Sequence, residues 1–222
     1  MSGSGLARAE DGGSVAAGGT GREPWPNLRE LLEKVAAGEV ALGEAEGVLC
    51  RLPFGHLGFA RIDHHRWIRT GLAEAVYGPG KTPDQCAAII ASFLSSPISA
   101  PVVLTRADEC QIAAALARNP GGHVVSSTVV WNAQPQRAAR IVVVSAGTGD
   151  LAVAEECRAT LTAYGYYPEV VTDVGVAGLH RLLAVADQLQ DVDVIVVIAG
   201  MEGTLPSAIG GLTAAPLRVR LT

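Results

Sequence analysis

RIVVVSAGTGDLAVAEECRATLTAYGYYPEVVTDVGVAGLHRLLAVADQLQDVDVIVVIAGMEGTLPSAIGGLT (140–213) decides the fold. IVVVSAG, PEVVTDV and VDVIVVIAG are continuous, β-branched apolar runs, the pattern of strands buried on both faces. The segments 150–164, 176–189 and 204–213 have helical periodicity, so the stretch reads βαβαβα. That alternation predicts an α/β fold, a doubly wound parallel sheet with right-handed crossovers and a ligand site at the carboxyl edge of the strands.

Three times in this stretch an apolar run ends in a glycine turn that carries an acid and opens a helix: SAGTGD (145–150), TDVGVAG (172–178) and AGMEG (199–203). In a parallel sheet these junctions share one edge and define one rim. Unpaired N–H groups at a helix N-terminus attract phosphate or carboxylate, and Gly147, Gly149, Gly175, Gly200 and Gly203 let a ligand approach the backbone. Ser145 and Thr148 offer hydroxyls suited to a phosphate or ribose. Asp150, Asp173 and Glu202 add carboxylates for proton transfer or for holding a divalent ion. Asp150 also reads as a helix cap, whereas glutamate caps poorly, which favours a site role for Glu202. His180, in the first turns of the helix in GVAGLHRLL, reads either as an ordinary helical histidine or as a catalytic group near the rim.

The rest of the chain sets bounds. At 222 residues it holds one domain of ordinary size and a smaller one. Its apolar fraction is 49% with no uninterrupted apolar stretch long enough to span a bilayer, so no membrane partner is expected. A net charge of −5, with no concentrated basic run, weighs against nucleic acid. Cys50, Cys86, Cys110 and Cys157 lie far apart without zinc-ligand spacing and read as reduced thiols of a cytoplasmic protein. The Gly-, Ser- and Ala-rich residues 1–23 read as a disordered tail. Of 17 basic residues only Lys34 and Lys81 are lysines, a bias that arginine-rich codon usage explains.

Upstream of residue 140, NLRELLEKVAAGEVALGEAEGVL (27–49) predicts a helix stopped at Gly38 and a second short helix. Gly78, Pro79 and Gly80 mark a loop before Lys81 and a helix from Thr82 or Pro83. PVVLTRA (101–107) and GHVVSSTVVWN (122–132) read as strands, 108–117 as a helix and 133–140 as a linker. The expected division is an α+β domain over 24–120 and an α/β domain over 121–222. Asp63, Arg66, Arg69 and Glu74 suit salt bridges along a helix. With Lys81, the two arginines equally suit an oxyanion clamp. The adjacent His64 and His65 cannot both face one ligand, which weighs against a metal there.

IDHHRWIRTGLAEAVYGPGKT, SAGTGDLAVAEEC, TDVGVAGLHRLL and AGMEGTLPSAIGGL, in that order and spacing, resemble the nickel-pincer cofactor biosynthesis family LarB, pyridinium-3,5-biscarboxylic acid mononucleotide synthase. The C-terminal half of that family is similar to the aminoimidazole ribonucleotide carboxylase PurE. The resemblance implies a homo-oligomeric carboxylase and hydrolase acting on nicotinic acid adenine dinucleotide. CO2 or bicarbonate would be the co-substrate, Mg2+ a candidate cofactor, and AMP a product. It would place phosphates on the helix N-termini, protons or a divalent ion at Asp150 and Glu202, and a phosphate or carboxylate at Arg66, Arg69 and Lys81.

The likeness ends at Leu212. Where the family continues into an apolar strand, a glycine-rich loop and a helix bearing a cysteine nucleophile, this chain reads TAAPLRVRLT (213–222), and none of its four cysteines matches that position. LRVRL puts arginines where a buried strand would be apolar, so it suits only an edge strand or a frayed tail. The expectation is a sequence cut short or shifted in frame. Two alternatives stay open: an aminoimidazole ribonucleotide carboxylase of purine biosynthesis and a catalytically degenerate nucleotide-binding protein.

Overall fold

The computed structural model describes residues 28–49, 55–64, 66–96, 99–200 and 202–222, and only the backbone at 28–31, 47–49, 68 and 69. The expected tail, Cys50, His65 and Met201 lie outside the described residues. Internal contacts divide the chain at residue 52, so the expected boundary at 120–121 falls inside the second of two units. In the first unit, helices α1 (Leu28–Ala36) and α2 (Leu42–Leu49) are separated by Gly38, whose φ of 74° ends α1 without steric cost.

The second unit begins with an antiparallel hairpin, β1 (Gly55–His56) and β2 (Arg61–Ile62), followed by the short helix α3 (Arg66–Thr70). Strand β3 (Val76–Tyr77) leads through the glycine loop into helix α4 (Pro83–Leu94), then β4 (Val102–Thr105) and α5 (Glu109–Arg118). Both helices start with reciprocal capping boxes, Thr82 with Gln85 and Asp108 with Gln111. GHVVSSTVVWN is two strands, β5 (His123–Val125) and β6 (Thr128–Trp131), because Ser126 turns the chain at φ 52°. The first sheet runs β3-β4-β6-β5, with β3 parallel to β4 and the other pairs antiparallel.

The second sheet is the one read from 140–213. Strands β7 (Ile141–Ser145), β8 (Glu169–Val171), β9 (Val194–Ala199) and β10 (Leu217–Leu221) are all parallel and lie in the order β10-β9-β7-β8. Chain order therefore reverses between β7 and β9, and a crevice opens beyond their carboxyl ends. Helix α6 (Leu151–Ala163) covers one face; α7 (Leu179–Ala184) and α8 (Thr204–Gly210) cover the other. The helix expected over 176–189 is broken into a 3-10 turn, α7 and a second 3-10 turn. LRVRL takes the edge-strand option: β10 pairs with β9 from Leu217–Ile195 to Leu221–Ala199.

Helix α6 is apolar on two sides. Ala154, Cys157 and Leu161 meet Val143 and Ile198 of the second sheet, whereas Ala159 and Ala163 meet Val103 and Val130 of the first. Gly165 ends this helix at φ 86°, and a Cβ there would collide with the Pro135 carbonyl. The linker 133–140 is held against it, Gln134 N–H donating to Ala163 O at 2.9 Å and Arg137 N–H to Gly165 O at 2.8 Å. Gly165→Ala is expected to cost about 2 kcal/mol or more through strain and collision. Urea denaturation checks this, and an unchanged midpoint would refute the role given to the turn.

Candidate active site

The three junctions meet at the switch point and enclose a pocket of about 430 Å³. Backbone hydrogen bonds assemble it. Ala146 N–H donates to Ile198 O at 3.0 Å, joining the first junction to β9. Val174 N–H donates to Ser145 O at 3.2 Å and Gly175 N–H to Ala146 O at 2.9 Å, joining the second junction to the first. Glycine suits position 175, because a Cβ would make a tight 3.0 Å contact with the Ala146 oxygen. At the third junction Gly203 bends the chain into α8 at φ 67°.

The pocket's three carboxylates have different surroundings. Asp150, buried, accepts from Gly147 N–H at 3.0 Å through one oxygen and from the Thr222 hydroxyl at 2.7 Å through the other. Asp173 sits in the left-handed region at φ 59° and pairs with Arg181 at 2.5 Å. That conformation is uncommon even for aspartate, and strain of this kind concentrates at functional sites. Glu202 lines the pocket, is exposed, and has no hydrogen-bond or ion-pair partner among the described residues.

Six of the expected site residues line the pocket: Gly147, Asp150, Asp173, Gly175, Gly200 and Glu202. Gly203 caps the adjoining helix. Thr148 and Gly149 are exposed on the 3-10 turn before α6 and do not line it. Ser145 does not either. Alternation along β7 puts its side chain on the α6 face with Val143, and its Oγ is buried without a partner among the described residues. The helix-N-terminal amides expected to be open to anions are partly engaged, since those of Gly147 and Gly175 already donate within the rim.

His180 is exposed and outside the pocket lining; its neighbour Arg181 lines it instead. Successive helical residues point about 100° apart, and the 3-10 turn over Val176–Gly178 sets the phase of α7. Gly178 makes room for this arginine, because a Cβ there would come within 2.6 Å of Arg181 Nε. The sequence signal was the glycine three residues before an arginine. The other expected cations are elsewhere. Lys81 borders a separate groove, Arg66 begins α3 outside the rim, and the side chain of Arg69 lies outside the described residues. His64 is within 3.1 Å of the Ser92 hydroxyl and edge-on to Phe93.

No group of three metal-ligating side chains occurs among the described residues. With both oxygens of Asp150 engaged and Asp173 paired, only Glu202 is left to a divalent ion, which does not make a prebuilt Mg2+ site. No thiol lines the pocket among the described residues either. Cys86 is buried, Cys110 is exposed on α5, and Cys157 faces the second sheet from α6. Burial, reinforced by the charge of Glu156, pushes the Cys157 thiol up to about 11, so it is almost wholly protonated near neutrality.

The fold is that of a doubly wound α/β protein whose switch-point crevice is lined by three carboxylates and one arginine. The family described as LarB/PurE-like N-terminal domain matches residues 54–146. The uncharacterized protein MJ0165 of Methanocaldococcus jannaschii is 31% identical over 205 residues, which cover 86% of this chain and 79% of that protein. The chain belongs to the family of this archaeal protein, and its LarB/PurE-like domain points to a carboxylase-type enzyme. No helix among the described residues is long and apolar enough to cross a membrane.

Ser145 yields a stability test. An unpaired buried hydroxyl carries a desolvation penalty, so Ser145→Ala is expected to stabilise the protein by roughly 1 kcal/mol. Thermal unfolding measures this, and a clear loss of stability would show that the hydroxyl is satisfied in solution.

Proposed function

We propose that the chain is a carboxylase and hydrolase of nicotinic acid adenine dinucleotide. Once a nucleophile has added to the pyridinium ring, CO2, supplied as such or from bicarbonate, would bond to the open meta carbon; loss of that carbon's proton and departure of the nucleophile would then restore the aromatic cation. Water would then cleave the phosphoanhydride, releasing AMP and a doubly carboxylated mononucleotide. The observation that carries this reading is Glu202, the one pocket carboxylate without a partner among the described residues. An unengaged carboxylate can accept the ring proton as the C–H electrons return to the ring. Arg181, held by Asp173, supplies the charge for a phosphate or carboxylate, since a guanidinium binds oxyanions through paired N–H groups. Mg2+ would arrive with the substrate's phosphates and offset their charge.

A second reading has its own support. A pyridinium cation does not attack CO2 until a nucleophile has added to the ring, and no described cysteine lines the pocket. The Thr222 hydroxyl on Asp150 points the same way, because it occupies the other carboxylate expected in catalysis. In this reading the protein binds the nucleotide without turning it over.

Incubation with nicotinic acid adenine dinucleotide, bicarbonate and Mg2+ separates the two. The first reading expects AMP together with the doubly carboxylated mononucleotide. Glu202→Gln should then lower kcat about 100-fold with little change in affinity, and Arg181→Ala should weaken binding about tenfold. Binding without product supports the second reading, and absence of binding removes both.

A further inference from the structure

We propose that the groove between β2, β3 and α4 is a second small-molecule site, one that takes an aromatic carboxylate. It encloses about 250 Å³ and shares no lining residue with the rim pocket. Its floor is apolar, formed by Ile62, Ile89 and Phe93, which pack with Val76, Val102 and Leu104 of the first sheet; its border carries Arg61, Glu74 and Lys81. The volume is slightly below the usual range for ligand pockets, about 300–1,000 Å³, which suits a single-ring compound and excludes a dinucleotide.

Lys81 is the residue that gives the groove its chemistry. Its ammonium has three donors, and one of them is used, by the Tyr77 carbonyl at 2.7 Å. No carboxylate among the described residues lies within ion-pair distance of it. The loop that presents it is firmly built. The buried Gln111 amide donates to Gly78 O at 2.9 Å and to Lys81 O at 2.7 Å, and its oxygen accepts from Asp108 N–H at 3.1 Å. Gly78 fits closely under this amide, because a Cβ there would lie within 2.9 Å of both Ala107 Cα and the Arg106 oxygen. A fixed loop that holds a cation at the mouth of an apolar groove is a preorganised site for an anion attached to a flat ring. Glu74, the one carboxylate in the lining among the described residues, accepts Asp63 N–H at 3.2 Å.

The probe is benzoate, titrated into the isotopically labelled full chain and followed by backbone amide NMR. Expected are shifts at residues 61–62, 76–77 and 81, an affinity reduced about tenfold in Lys81→Ala, and recovery in Lys81→Arg. Acetate, which lacks the ring, should bind far more weakly. The proposal is overturned if millimolar benzoate shifts nothing in the groove, if the shifts are confined to the three rim junctions, if Lys81→Ala binds as tightly as the parent, or if acetate binds equally well. These outcomes are independent of turnover at the rim.

Discussion

The burial of α6 between two sheets is the constraint on which the second unit depends. A helix covered on both sides must be narrow on both, and α6 meets this with Ala154 toward the second sheet and Ala159 and Ala163 toward the first. The Arg106–Glu156 ion pair at 3.0 Å adds a polar tie from the loop after β4 to the same helix, although pairs this exposed contribute modestly. Position follows from packing: α6 begins one residue after Asp150, so fixing the helix against both sheets also fixes the first junction of the rim.

The rim is accordingly a product of backbone geometry more than of side-chain placement. Backbone hydrogen bonds join β9 to the first junction and the first junction to the second. Glycine at 175 permits the close approach that the second contact requires. On this frame the three carboxylates are separated in role by their neighbours: Asp150 closed by Gly147 and Thr222, Asp173 by Arg181, and Glu202 open. The chemistry proposed for the pocket rests on that asymmetry.

The strands of the second sheet were legible because burial on both faces demands continuous β-branched runs, and their glycine junctions located the rim. The start of α4 was equally legible from Thr82 and Pro83, where capping chemistry is local. Other features depended on contacts that no local pattern carries. Thr222 reaches Asp150 across 72 positions. Arg181 rather than His180 enters the pocket because a 3-10 turn sets the phase of α7. The turn at Ser126 lay in the short polar break between two valine pairs that together read as one strand, and Lys81 sits on a loop attached to Gln111, away from the rim. The two-sided burial of α6 left only weak amphipathicity in its sequence, the usual signature of a helix enclosed on opposite faces.

The proposed function requires that the nucleotide bind in the β7–β9 crevice. Amide hydrogen exchange of the full chain, with and without nicotinic acid adenine dinucleotide, addresses it directly. Ligand-induced protection is expected to concentrate in residues 146–150, 173–178 and 199–205. Protection confined to other segments, with these three unchanged at saturating ligand, would contradict it.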